Sequence, residues 1–202
     1  MDLEKQKENF KNHIAKFTDY GNIKILDFKN PDSSNYRIRF LFEEDYCRLH
    51  ISGDLGELIA TNYKNMCFDG FSDFVNNTGY FEEKIDCHNR SIYFYDENLA
   101  VKQLKERIEE YEMLDYTNLY SYEDDEEDRI DSIIEDILED FSDRTGIGSK
   151  GYDVLSELDD DAWEWCTYIG RKETGILELY MLAFKLATEQ LEQNQALKQM
   201  GE

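Results

Sequence analysis

The sequence predicts an α+β fold: an N-terminal half with an antiparallel sheet of three or four strands and flanking helices, followed by an acidic all-helical half. Three observations carry this. Short segments rich in aromatic and β-branched residues, separated by turn-forming residues, crowd the first half of the chain. Apolar residues at helical intervals dominate the second half. Charge divides in the same sense: residues 1–100 carry 18 acidic and 12 basic groups, and residues 101–202 carry 28 and 10. The reading sets an α+β domain at 1–114 and an acidic helical domain or subdomain at 115–202.

Residues 3–18 place Leu3, Phe10, Ile14 and Phe17 at helical spacing, with Gly21 as a stop, so a helix is expected to open the fold. "NIKILDF" (22–28), "YRIRFLF" (36–42) and "CRLHIS" (47–52) read as a meander joined by "KNPDSSN" and "EEDY". Tyr36, Ile38, Phe40 and Phe42 alternate with Arg37 and Arg39, which makes one face buried and the other wet. Lys24, Arg37, Arg39, Arg48 and His50 are expected on the wet face. Pro31, the only proline, falls in the first turn, where its missing donor does no harm.

"SGDLGELIATNY" reads as a tight turn leading into a short helix capped by Asp54, because two glycines flank an acid with capping chemistry. "FSDFVNNTGYFEEK" (71–84) reads as a helix and "SIYFYD" (91–96) as a fourth strand. In 97–114, Leu99, Val101, Leu104, Ile108, Tyr111 and Leu114 keep a near-helical spacing with no proline or glycine among them. Over 126–142, Ile130, Ile133, Ile134, Ile137, Leu138 and Phe141 mark an amphipathic helix with one apolar stripe. "DRTGIGSKG" breaks it, a short helix with Val154, Leu155 and Leu158 follows, and a last helix runs from about 175 to 198. That last helix is apolar over most of its circumference and is expected to dock against both halves.

A chain of 202 residues, 41% hydrophobic, has enough material for a core, and 14% aromatic residues argue against disorder. No apolar run approaches the roughly 20 residues that span a bilayer, and "MDLEKQKENF" lacks the regions of a signal peptide, so the cytosol is the expected location. Cys47, Cys67, Cys87 and Cys166 are far apart in sequence and read as reduced thiols.

The net charge of −24 is concentrated. Residues 115–164 hold 19 acids against Arg129, Arg144 and Lys150. Such a field repels nucleic acid and anionic membranes and attracts basic protein surfaces. On a helix, acids four residues apart such as Asp131, Glu135 and Glu139 lie about 6 Å apart, of the order of the spacing between phosphates on a nucleic-acid strand. Like charges at that spacing destabilise a helix by about 0.2–0.5 kcal/mol per pair. The bland alternative is a solvated face kept soluble by its charge. The sharper expectation is a partner-binding surface that mimics nucleic acid, comprising Glu123, Asp124, Asp125, Glu126, Glu127, Asp128, Asp131, Glu135, Asp136, Glu139, Asp140, Asp143, Asp159, Asp160 and Asp161.

No cofactor or metal is expected. Neither "EDDEEDR" nor "LDDDAWEW" has the central glycine and closing glutamate of a calcium loop, and the cysteines and histidines lack zinc-ligand spacing. A metal-dependent nuclease is the enzymatic alternative, resting on Pro31-Asp32 and the Glu82–Lys84 spacing, which imitate a carboxylate-and-lysine site loosely. A regulatory scaffold is a third class. Trp163 and Trp165 read as core aromatics, with interface anchoring as the alternative.

"RLHISGDLGELIATNY", "YFEEKIDCHNRSIYFYDENLAVKQLKE" and "GILELYMLAFKLATEQL" together resemble a group of small acidic proteins carried by phages and mobile elements of Gram-positive bacteria. The resemblance covers most of the chain and carries no catalytic motif. It implies an anti-defence role, above all anti-CRISPR activity. CRISPR effectors hold nucleic acid in strongly basic channels, so the resemblance and the charge argument meet in one expectation: a non-enzymatic inhibitor that occupies a basic groove of a host effector.

Overall fold

A computed structural model describes residues 2–110 and 126–200. The chain's contacts divide it into two units, residues 1–92 with 175–202, and residues 93–174. The boundary expected from the sequence lies at 114/115. The division differs because the last helix returns to the N-terminal sheet, a pairing across the length of the chain that no local pattern announces.

The first unit is α+β. Its six-stranded antiparallel sheet runs in sequence order: β1 (Ile14–Asp19), β2 (Ile23–Lys29), β3 (Ile38–Glu43), β4 (Arg48–Gly53), β5 (Gly56–Thr61) and β6 (Ile85–His88). Alternation in β3 places Ile38, Phe40 and Phe42 fully in the core while Arg39 faces out. The same period buries Leu26 and Phe28, Leu49 and Ile51, and Leu58 and Ala60 in the neighbouring strands. Helix α7 (Ile176–Met200) packs on β1 and β2 and contributes Tyr180, Ala183, Phe184 and Ala187 to this core. Phe184 meets Phe71 with ring centroids 4.8 Å apart, edge to face, the arrangement that the ring quadrupoles favour.

Four expectations change here. The opening helix is only α1 (Leu3–Lys7), capped by Asp2 and followed by a 3-10 turn at Glu8–Phe10, after which the chain becomes β1. Ala15 is buried, the backbone N–H of Ala15 donates to Gln190 Oε1 at 2.6 Å, and all six residues of β1 pair with β2. Ladder and core together override a helical spacing. "SGDLG" makes a β-hairpin, and "GELIAT" is strand β5 paired with β4 instead of a helix. Asp54 therefore caps no helix; its carboxylate accepts the N–H of Tyr36 at 3.0 Å. The segment 71–84 forms a 3-10 turn at Phe71–Phe74 and a short helix α2 (Thr78–Glu82) whose N-cap is Asn77. It leads into β6, which the sequence reading did not expect.

The second unit carries helices α3 (Glu97–Glu110), α4 (Glu126–Ile137), α5 (Ser149–Leu158) and α6 (Ala162–Trp165). Tyr111 and Leu114, expected on the first of these, lie outside the described residues. The expected fourth strand is β7 (Tyr93–Tyr95), and it pairs with β8 (Arg171–Glu173) in a separate two-stranded sheet. Because β8 lies in it, the second half is not all-helical. The apolar stripe of α4 is as expected: Ile130, Ile133, Ile134 and Ile137 are buried among Ala100, Leu104 and Ile108 of α3 and Leu155 of α5. Each such burial contributes about 1.5–3 kcal/mol. That outweighs the like-charge repulsion of about 0.2–0.5 kcal/mol per pair on the opposite face. Among the described residues no helix is long and apolar enough to cross a membrane.

Candidate functional site

The unit 93–174 contains 26 acidic and 8 basic residues, a net charge of −18. With its apolar stripe turned into the core, α4 shows solvent the opposite side, where Glu127, Asp128, Asp131, Glu135 and Asp136 are exposed. Glu123, Asp124 and Asp125 lie outside the described residues, as does the side chain of Glu126. Glu139, Asp140 and Asp143 were expected to continue the helical row. Since α4 ends at Ile137, they fall in the turn beyond it.

The structure sorts these carboxylates by what they touch. Asp131 closes on Lys105 of α3 at 2.6 Å, and this hydrogen bond, ahead of the charges of Asp131 and Glu127, raises the lysine pKa above its ordinary value. Glu139 binds Lys150 at 2.6 Å. Asp140 accepts the backbone N–H groups of Lys150 at 3.0 Å and Gly151 at 3.2 Å in the first turn of α5. The bond from Lys150 is the main cause that holds its carboxyl below the usual range, consistent with a negative group at a helix N-terminus. Gly148 has no room for a side chain there, because a Cβ would collide with the Asp140 carboxylate. Asp159 accepts the Trp165 indole N–H and the N–H of Asp161, both at 2.9 Å, and lies 3.9 Å from Arg107. Arg107 stacks on the Trp165 ring at 4.0 Å, so Trp165 is tied into the unit. Each of these acids is therefore engaged within the unit.

Among the described residues, exposed carboxylates of Asp128, Glu135, Asp143, Asp160 and Asp161 have no cation within 4 Å, and they are the groups left to face a partner. Glu127 and Asp136 are not free groups. The predicted surface is therefore a patchwork of structural and free acids.

Trp163 departs from its expected core placement. It is 61% exposed, next to Asp161 and Glu164, and Tyr168 in the same unit is 58% exposed. The local sequence carries little signal for this: Trp163 lies between Ala162 and Glu164, and Trp165 between Glu164 and Cys166.

The other candidates do not assemble. Lys84 lies 3.3 Å from Glu83 and 4.3 Å above the Tyr80 ring in the turn before β6, while Asp32 sits in the turn between β2 and β3. The described residues contain no group of three or more His, Cys, Asp and Glu side chains placed to hold a metal ion. His50 pairs with Glu43 at 2.9 Å, and all four cysteines are free thiols. Burial pushes the Cys166 thiol pKa up.

Fold and surface together define an α+β protein with one strongly acidic unit. No protein-family model, curated protein or solved structure matches the chain.

Proposed function

We propose that this protein is a non-catalytic inhibitor that docks the acidic unit 93–174 into a basic, nucleic-acid-binding cleft of a host effector nuclease, in the manner of an anti-CRISPR protein carried by a phage or mobile element. The observation that carries the reading is the coexistence in one unit of a net charge of −18 with exposed, uncompensated carboxylates at Asp128, Glu135, Asp160 and Asp161. A cleft built to hold polyphosphate rewards such a surface, and steering between opposite fields speeds association. Trp163 supplies an aromatic anchor of the kind that dominates interface energetics.

The test is displacement of labelled nucleic acid from a candidate effector, followed by fluorescence anisotropy. Wild-type protein should displace it and lose potency steeply as salt rises. The combined reversal Asp128→Lys, Glu135→Lys, Asp160→Lys and Asp161→Lys should weaken displacement by at least about tenfold, some 1.4 kcal/mol, with the far-UV spectrum unchanged. Undiminished displacement by that variant would overturn the reading.

A further inference from the structure

In a protein with 46 acidic and 22 basic residues, two cations stand together in one groove on the outer face of the six-stranded sheet. A groove of about 340 Å³ there is lined by Asp27, Lys29, Arg37, Arg39, Ser52, Gly53 and Glu57. Strand alternation sends these side chains away from the core face that holds Leu26, Phe28, Ile38 and Phe40. Arg39 is already engaged, donating to both carboxylate oxygens of Asp27 at 2.7 and 3.1 Å. Lys29 and Arg37 are exposed and have no carboxylate within 4 Å among the described residues. Lys16, the register partner of Asp27 on β1, adds a further exposed cation beside the groove. Asp27 and Glu57 are the opposing charges in the lining, Asp27 being bound to Arg39.

The backbone that carries Arg37 is gripped by the "SGDLG" hairpin. The Asp54 carboxylate accepts the N–H of Tyr36 at 3.0 Å, and the N–H of Asp54 donates to the Arg37 carbonyl at 2.9 Å. Gly53, at φ +150°, packs so tightly that a Cβ would collide with that carbonyl. Tyr36 itself is held at φ +55°, which residues other than glycine adopt rarely. A hairpin that clamps its neighbour this closely fixes the backbone from which the Arg37 side chain leaves the sheet, and a fixed backbone lowers the entropic cost of placing that cation on an anion.

We infer that this groove is an oxyanion site, with Arg37 and Lys29 as ligand-contacting residues, Ser52 as a hydroxyl donor, and Asp54 as the positioning residue for Arg37. A guanidinium fork beside a lysine point charge suits a tetrahedral phosphoryl group. The ligand class is inorganic phosphate or a small phosphate monoester. This site is independent of the acidic unit and of the inhibitory reading.

The protein's net charge gives the site a distinctive salt response. Distant acids repel the ligand over a Debye length of about 30 Å at 0.01 M salt, but over only about 8 Å at 0.15 M, whereas direct contacts are screened far less. Affinity should rise between those concentrations and fall again towards 1 M.

The experiment is a titration of the full chain, ¹⁵N-labelled, with inorganic phosphate and separately with phenyl phosphate. Shift changes should cluster at Lys29, Arg37, Arg39, Ser52 and Gly53. Arg37→Gln and Lys29→Gln should each weaken binding about tenfold, the loss of one charge-assisted contact. Arg37→Lys should recover part of the loss. Asp54→Ala should weaken binding with the amide spectrum of β2 and β3 retained. Stronger binding of phenyl phosphate assigns a monoester; equal binding assigns the bare anion. Shifts spread equally over Lys5, Lys64 and Lys198, indifference to Arg37→Gln, or affinity that only falls from the lowest salt upward would overturn the assignment.

Discussion

The ammonium of Lys105 on α3 lies 2.6 Å from the carboxylate of Asp131 on α4, the acid at the head of the row expected to imitate phosphates. A group so held is part of the fold, and substituting it probes two properties at once. Asp131→Lys should lower the melting temperature more than Glu135→Lys, because it sets two cations against each other while Glu135 has no such partner. The difference should narrow as salt rises, since both side chains of the pair are at least one-third exposed. Thermal melts at low and high salt check this.

Gly151 is buried where α5 meets α4, and a Cβ there would collide with the Ile137 carbonyl. Gly151→Ala should destabilise by about 1–3 kcal/mol through overpacking. Ile137→Ala, which keeps that carbonyl but removes a fully buried side chain from the core, should cost about 2–5 kcal/mol. Urea unfolding measures both.

His13 is 4% exposed, and burial, partly offset by the backbone carbonyls of Tyr36 and Asn35, pulls its pKa below 6.5. A base whose folded pKa is depressed binds its proton more readily when unfolded. Its contribution is therefore fully present above about pH 6.5 and is lost as pH falls towards the depressed folded value. Urea midpoints should drop between pH 7.5 and 5.5, and His13→Phe should flatten that dependence.

Tyr180 is 2% exposed, and burial pushes its phenol from 10.0 up to about 12. The unfolded chain ionises first, so stability contributed by the protonated phenol is present below pH 10 and declines from there to about pH 12. Absorbance at alkaline pH should show one tyrosine titrating late in the folded protein, and Tyr180→Phe should remove it.

Where a local period and the tertiary fold agree, the structure was legible beforehand. The stripe of Ile130, Ile133, Ile134 and Ile137 and the alternation of Ile38, Phe40 and Phe42 follow from side chains that repeat on one face, and the last helix follows from a long apolar run without proline. Residues 3–18 misled because Phe10, Ile14 and Phe17 fit a helical spacing while Ala15, the buried residue of β1, is small and weakly patterned. "GELIAT" misled because a short apolar run after glycine fits either period, and only pairing with β4 chooses.

The candidate site was legible to the same degree. Composition located the acidic unit, but Asp131, Glu139, Asp140 and Asp159 have tasks assigned by Lys105, Lys150, the start of α5 and Trp165. The groove beside Arg37 was visible only as basic residues on a wet face; the clamp by Asp54 joins residues 18 positions apart.

The amino-acid order by itself determined the unequal charge of the two halves, the α+β class, and which face of α4 turns inward, because these depend on composition and on repeats a few residues long. Tertiary structure alone decided the six-strand pairing, the separation of β7 and β8, and which carboxylates stay free. Hydrogen-bond ladders and ion pairs form between groups brought together by chain closure, and their partners are not encoded within any one local window.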